Sequence, residues 1–146
     1  MFLGQYRHNI DEKGRLTIPA RYRELLADGA YITQGFDQNL MVLRSTTFEF
    51  ISQRVNQNSM TDQMTRELAR LLFSTAERVE TDKNGRILIP QFLRQSADLN
   101  GEAVLAGVGN YFEIWAPAGW EHQIARMQDT EENAGRFSAL DLSPGE

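Results

Sequence analysis

The stretch Asp11-Glu12-Lys13-Gly14-Arg15-Leu16-Thr17-Ile18-Pro19 recurs as Asp82-Lys83-Asn84-Gly85-Arg86-Ile87-Leu88-Ile89-Pro90, 71 positions further along a chain of 146 residues. A period near half the length implies two related halves around a pseudo-two-fold axis, because a unit of about 70 residues struggles to bury enough apolar surface by itself. Aspartate opening a four-residue turn and glycine closing it fit a tight loop in which glycine takes the positive φ. The carboxylates of Asp11 and Asp82 are expected to accept backbone N–H groups inside their own turns. Strands are expected on either side, each pair closing a hairpin: Tyr6 to Ile10 with Arg15 to Ile18, and Arg78 to Thr81 with Arg86 to Ile89. Pro19 and Pro90 stop the strands and suit the first position of the short helices that follow, Ala20 to Leu26 and Gln91 to Arg94.

The correspondence continues outward from the turns. Tyr31-Ile32-Thr33 aligns with Val104-Leu105-Ala106, and Leu40-Met41-Val42-Leu43 with Phe112-Glu113-Ile114-Trp115, each set a second hairpin. Amphipathic helices follow: Thr46 and Glu49 form a capping-box pattern ahead of Phe50, Ile51 and Val55, and Trp120, Ile124 and Met127 make the corresponding stripe. The repeat unit is therefore ββαββα, giving an α+β protein. A bridging helix from Thr61 to Phe73 carries Met64, Leu68, Leu71 and Leu72 on one face, expected to pack on the chain's own sheet, with a subunit contact as the alternative. Beyond Gln128 the chain turns polar and acidic, so Asp129 to Asn133 and the Ser143 to Glu146 terminus are expected to form a frayed tail or a loosely docked segment. The expected layout is a first half over 1–56, the bridge over 57–74, a second half over 75–128 and the tail over 129–146.

With 41% hydrophobic residues the chain is expected to form one compact soluble domain of two merged halves. It contains no cysteine, which removes disulfides and thiolate metal sites and fits a reducing, cytoplasmic setting. Neither a membrane span nor a signal peptide is expected from its hydropathy pattern. The net charge of −5 argues at first against a polyanionic partner, but residues 1–23 hold Arg7, Lys13, Arg15, Arg21 and Arg23 against only Asp11 and Glu12. Of the basic residues thirteen are arginine and two lysine, and both lysines, Lys13 and Lys83, fall in the repeated turns. A lysine at a turn tip with an arginine heading the next strand puts a point charge beside a planar five-donor fork. Such a tip suits a phosphate and the O6/N7 edge of guanine. The bland alternative is an arginine paired with its own turn's aspartate, which contributes little. The aromatic residues, among them Phe2, Phe36, Phe50, Phe92 and Trp120, fall mostly at apolar-periodic positions and are expected in the core.

The duplicated Asp-x-x-x-Arg, Asp11/Arg15 and Asp82/Arg86, each followed by an apolar strand and proline, resembles the signature of the MraZ family of bacterial transcription regulators. The likeness runs from Met1-Phe2-Leu3-Gly4 through the bridging helix to the helix of Trp120. The broader relation is to AbrB-like domains of the SpoVT-AbrB type. It implies two tandem AbrB-like half-repeats that form a double-split, swapped-hairpin β-barrel with peripheral helices. The resemblance also implies a nucleoid-associated, ring-shaped homo-oligomer that binds G-rich direct repeats in double-stranded DNA. Its target would be the promoter of the division and cell wall gene cluster, its own gene included, most simply as a repressor. Lys13, Arg15, Lys83 and Arg86, with Arg7 and Arg21 flanking, become the candidate DNA contacts. Asp11, Gly14, Asp82 and Gly85 become the turn scaffold. At the second tip Asn84 stands where the first has Lys13, and Lys83 lies one place earlier, so the first copy is the stronger candidate reader.

Two other readings compete. Asp11 and Asp82 could meet across the pseudo-two-fold and share a proton as catalytic carboxylates do. However, each sits in a charged turn, and no nucleophile elbow, phosphate loop or metal-ligand spacing occurs. His8 and His122 lie in opposite halves and read as surface or packing residues. No enzyme, cofactor or metal is therefore expected. An AbrB-like antitoxin or other protein-binding module would use the polar tail for a partner, but that pattern has one motif per chain where this chain has two.

Overall fold

The computed structural model describes residues 1–144. In chain order the elements are β1 (Gln5–Asn9), β2 (Arg15–Thr17), α1 (Ala20–Leu25), β3 (Ala30–Gln34), β4 (Leu40–Arg44), α2 (Ser45–Asn56) and α3 (Gln63–Phe73), followed by β5 (Glu77–Val79), β6 (Arg86–Leu88), α4 (Gln91–Ser96), β7 (Glu102–Gly107), β8 (Tyr111–Trp115), α5 (Pro117–Met127) and α6 (Thr130–Arg136). The order ββαββα, bridging helix, ββαββα is the one expected, and the class is α+β.

The pairing around the two turns differs from the local hairpins that the turn flanks predict. Strands β1 and β2 do not form a hairpin ladder: past the turn they share only the Ile10–Leu16 bridge. Instead β2 pairs antiparallel with β6 of the other repeat, Leu16 opposite Ile87, as a separate two-stranded sheet. The other six strands form a sheet in the order β1-β7-β8-β4-β3-β5. Here too the outer strands cross over, β1 onto β7 and β5 onto β3, while the second hairpins β3–β4 and β7–β8 form within each repeat as expected. The reason for the exchange is burial. Three-residue strands cannot hide an apolar face against one neighbour, but crossed β2 and β6 bring Leu16, Ile18, Ile87 and Ile89 into one core at 0–1% exposure. Tyr22 of α1 packs there against Phe2 and Phe112, with ring centroids 5.2 and 4.8 Å away, and its hydroxyl donates to Leu3 O at 2.8 Å.

One face of the large sheet carries α2, α3 and α5. Helices α2 and α3 cover Met41 and Leu43 of β4, with Val55, Leu72, Phe48 and Leu68 in the same cluster. The bridging helix thus packs on the chain's own sheet as expected, though Met64 at its start stays exposed. Helix α5 lays Trp120 and Ile124 against Val104, Ala106 and Trp115, leaving Met127 exposed. No helix among the described residues is long and apolar enough to cross a membrane.

Smaller expectations are also corrected. The Thr46–Glu49 capping box does not form, because α2 already begins at Ser45 with Arg44 at the cap and no side-chain capping bond. Pro19 and Pro90 occupy the cap itself, at φ −54° and −55° with extended ψ, one place before the first helical residue. The tail, expected frayed or loosely docked, is helical over Thr130–Arg136: the Asp129 carboxylate caps α6 by accepting the Glu132 N–H, and Glu131 and Glu132 sit in the first turn where the helix dipole favours acids. The terminal Gly145 and Glu146 of the expected tail lie outside the described residues. Among the aromatic residues Phe36, Phe50 and Phe92 are exposed rather than in the core.

Candidate nucleic-acid interface

Each turn is organised by its aspartate. Asp11 Oδ1 accepts the N–H groups of Lys13 at 3.0 Å and Arg15 at 2.9 Å. Asp82 Oδ1 accepts those of Asn84 and Arg86, both at 2.9 Å. The fourth residue takes the left-handed conformation only glycine adopts freely, at φ +87° for Gly14 and +74° for Gly85. The second carboxylate oxygen holds the arginine that opens the next strand: Arg15 Nε donates to Asp11 Oδ2 at 2.6 Å, and Arg86 Nε to Asp82 Oδ2 at 3.1 Å. The own-turn pairing is therefore present in both copies. Those bonds, led by the Arg15 and Arg86 backbone N–H groups, hold both carboxyls below the ordinary 3.8. A shared proton would raise one of the two instead, so the paired-acid reading finds no support here.

The β2–β6 ladder sets the turns side by side, and its register places Arg15 opposite Leu88 and Arg86 opposite Thr17. The ladder extends into the turns, with the Ile18 N–H on Gly85 O and the Ile89 N–H on Gly14 O, both at 2.9 Å. Arg86 Nη1 then reaches across to Asp11 Oδ2 at 3.6 Å. The two arginines are neither swallowed nor free: their side chains keep 36% (Arg15) and 25% (Arg86) of their surface. Lys13 and Lys83 stand exposed at the tips and Arg21 is exposed on α1. Arg7 behaves differently. Its guanidinium is bound by Glu102 at 3.1 Å and Glu121 at 2.7 Å, so its charge is offset by two carboxylates from the second repeat.

Two further arginines belong to the site and were not among the candidate contacts read from the sequence. Arg23 of α1 donates to Ile18 O and Arg94 of α4 to Ile89 O, both at 3.0 Å. A signal was present: Arg23 and Arg94 are also 71 positions apart, the same offset as Asp11 and Asp82. Among the described residues no cluster of His, Asp and Glu could hold a metal.

A family model described as "MraZ protein, putative antitoxin-like" matches this chain twice, over residues 1–71 and 72–140. A protein of Dictyoglomus thermophilum named Transcriptional regulator MraZ is 46% identical over 139 residues, 95% of this chain and 94% of its own. A protein of the same name from Roseiflexus sp. is 45% identical over 138 residues, 94% of each chain. One from Herpetosiphon aurantiacus is 43% identical over 129 residues, 88% of this chain and 90% of its own.

Proposed function

Because the chain belongs to the MraZ family, we propose that it regulates transcription by gripping double-stranded DNA with its paired turns. The observation that carries this reading is the side-by-side placement of the turns, each with an exposed lysine at its tip and an accessible arginine oriented by an aspartate. Preorganised guanidinium groups lose little entropy on binding and read guanine edges bidentately, while the lysines meet phosphates. The crossed pairings of β1, β2 and β5 are read as the swapped-hairpin barrel of AbrB-like domains.

One pair of turns reaches few phosphates and holds DNA weakly at physiological salt. Several identical pairs on a closed ring bind tightly when DNA repeats match their spacing, and direct repeats suit a head-to-tail subunit contact. The proposed target is a set of G-rich direct repeats ahead of the division and cell wall genes, with repression as the outcome and the nucleoid as the site of action. The test is a titration of a labelled duplex carrying such repeats at several salt concentrations. The affinity is expected to fall steeply and log-linearly with salt, and Arg15→Ala to abolish the preference for repeats over a scrambled duplex. Salt-insensitive binding to a protein, with no duplex bound, would favour the antitoxin-like reading instead.

A further inference from the structure

Arg23 and Arg94 do more than cap their own strands. A Cβ built on Gly14 would lie 2.7 Å from Arg94 Cζ and 2.8 Å from its Nε. One on Gly85 would lie 2.9 Å from both Cδ and Cζ of Arg23 and collide with its Nη1. Each guanidinium therefore lies against the turn glycine of the opposite repeat. The backbone closes the figure: Gly14 O accepts the Ile89 N–H, Ile89 O accepts Arg94 Nε, and Arg94 returns to Gly14. Gly85, Ile18 and Arg23 close the same figure with the halves exchanged, Arg23 donating through Nη1 rather than Nε. Ile18 and Ile89 are wholly buried, so both figures are anchored in the core.

We propose that Arg94 and Arg23 are positioning residues for DNA reading, each locking the turn of the other repeat: Arg94 the turn that bears Arg15, Arg23 the turn that bears Arg86. The inference rests on the DNA-binding reading of the turns. It assigns the glycines a second duty beyond positive φ, since only a residue without Cβ lets the opposite arginine close over the turn. It also explains how two loops on short strands keep the fixed separation that base-edge contact requires.

The experiment uses the full-length, assembled protein, a duplex bearing G-rich direct repeats and a scrambled duplex of equal composition. Arg94→Ala and Arg23→Ala are each expected to weaken the repeat duplex about tenfold, as for one lost base contact. Affinity for the scrambled duplex and the slope of log K against log salt stay unchanged. A slope reduced by about 0.9 per removed charge, with both duplexes weakened alike, would make these arginines phosphate contacts and overturn the proposal. Arg94→Lys keeps the charge but not the planar Nε donor, so it should behave like Arg94→Ala; full rescue by lysine would also overturn it. If Arg94→Ala does not fold, Arg94→Lys carries the same comparisons.

A merely structural role is separated by crossing the variants. In an Arg86→Ala background, Arg23→Ala should cost nothing more, because the turn it holds no longer reads, whereas Arg94→Ala keeps its whole effect. Equal further losses from both count against the lock. Wild-type protein that binds neither duplex would defeat the DNA reading itself. The lock would then be judged by thermal midpoints at fixed protein concentration: Gly14→Ala should lower the midpoint less in an Arg94→Ala background than in an Arg23→Ala one, and equal drops would refute it.

Discussion

At the first turn Arg15 spends Nε on Asp11, and its two terminal nitrogens donate no hydrogen bond among the described residues. At the second turn Arg86 gives Nε and Nη2 to Asp82, at 3.1 and 3.0 Å, and turns Nη1 toward Asp11 at 3.6 Å. The two halves share one device, yet Asp11 faces two guanidinium groups where Asp82 faces one. A repeated motif therefore does not imply a repeated role. The first arginine leaves both terminal nitrogens unbonded among the described residues, and the second is more fully engaged in joining the turns. The comparison breaks most decisively in DNA affinity. Arg15→Ala is expected to remove repeat-specific binding, multiplied over every subunit of the proposed ring, while Arg86→Ala costs nearer tenfold. Equal losses in the duplex titration would make the two turns equivalent readers and erase the distinction.

The next effect falls on the scaffold. A β-branched side chain at φ +87° is strained by about 1–3 kcal/mol, and at Gly14 it would also push Arg94 aside. Gly14→Val should therefore lower both the thermal midpoint and the affinity, whereas Arg15→Ala, which empties no core volume and loses one partly exposed ion pair, should lower the affinity with a much smaller effect on the midpoint. A midpoint that falls as far for Arg15→Ala as for Gly14→Val would show Arg15 to be structural.

Acid sharpens the same contrast. A carboxyl whose folded pKa lies below its unfolded value adds stability that is complete above the unfolded value and fades as pH falls through the folded one. Asp11 and Asp82 both lie below the ordinary 3.8, so their contribution should be constant from pH 7 down to about pH 5 and vanish only in stronger acid. Asp11→Asn should flatten the acid limb of a midpoint-against-pH curve more than Asp82→Asn, because two arginines face Asp11. Identical acid limbs would show the Arg86–Asp11 approach to be without energetic weight.

The turn chemistry was legible because it is local: Asp11, Gly14, Asp82 and Gly85 announce acceptor and positive-φ positions within five residues. The strand exchange was not legible locally; only the resemblance to AbrB-like domains implied swapped hairpins. The alternation of Leu16 and Ile18, or of Ile87 and Ile89, demands a buried face without naming the partner that buries it. Arg7 misled for a related reason, since the carboxylates that bind it, Glu102 and Glu121, lie about a hundred positions away in the other half. Arg23 and Arg94 carried the repeat offset but nothing local to say that their guanidinium groups would cover a glycine 71 positions out of register with their own turn. What sequence conveys well is the shape each segment takes alone; what it hides is the contact made only when both copies close on each other.

The smallest effect concerns the tips themselves. The first presents Glu12 and Lys13, a neutral pair, and the second Lys83 and Asn84, a net positive one. Thus the tip with the more engaged arginine carries the greater net charge, so in the proposed reading Lys83 adds phosphate anchoring beside the base contact of Arg86. Asn84→Lys adds a charge at the position that Lys13 holds in the first copy, on an exposed loop where no packing changes. Binding to repeat and scrambled duplexes should tighten alike, and the slope of log K against log salt should steepen by about 0.9 per subunit in contact. If only the repeat duplex tightens, position 84 reads bases, and the second tip would rank with the first as a source of specificity.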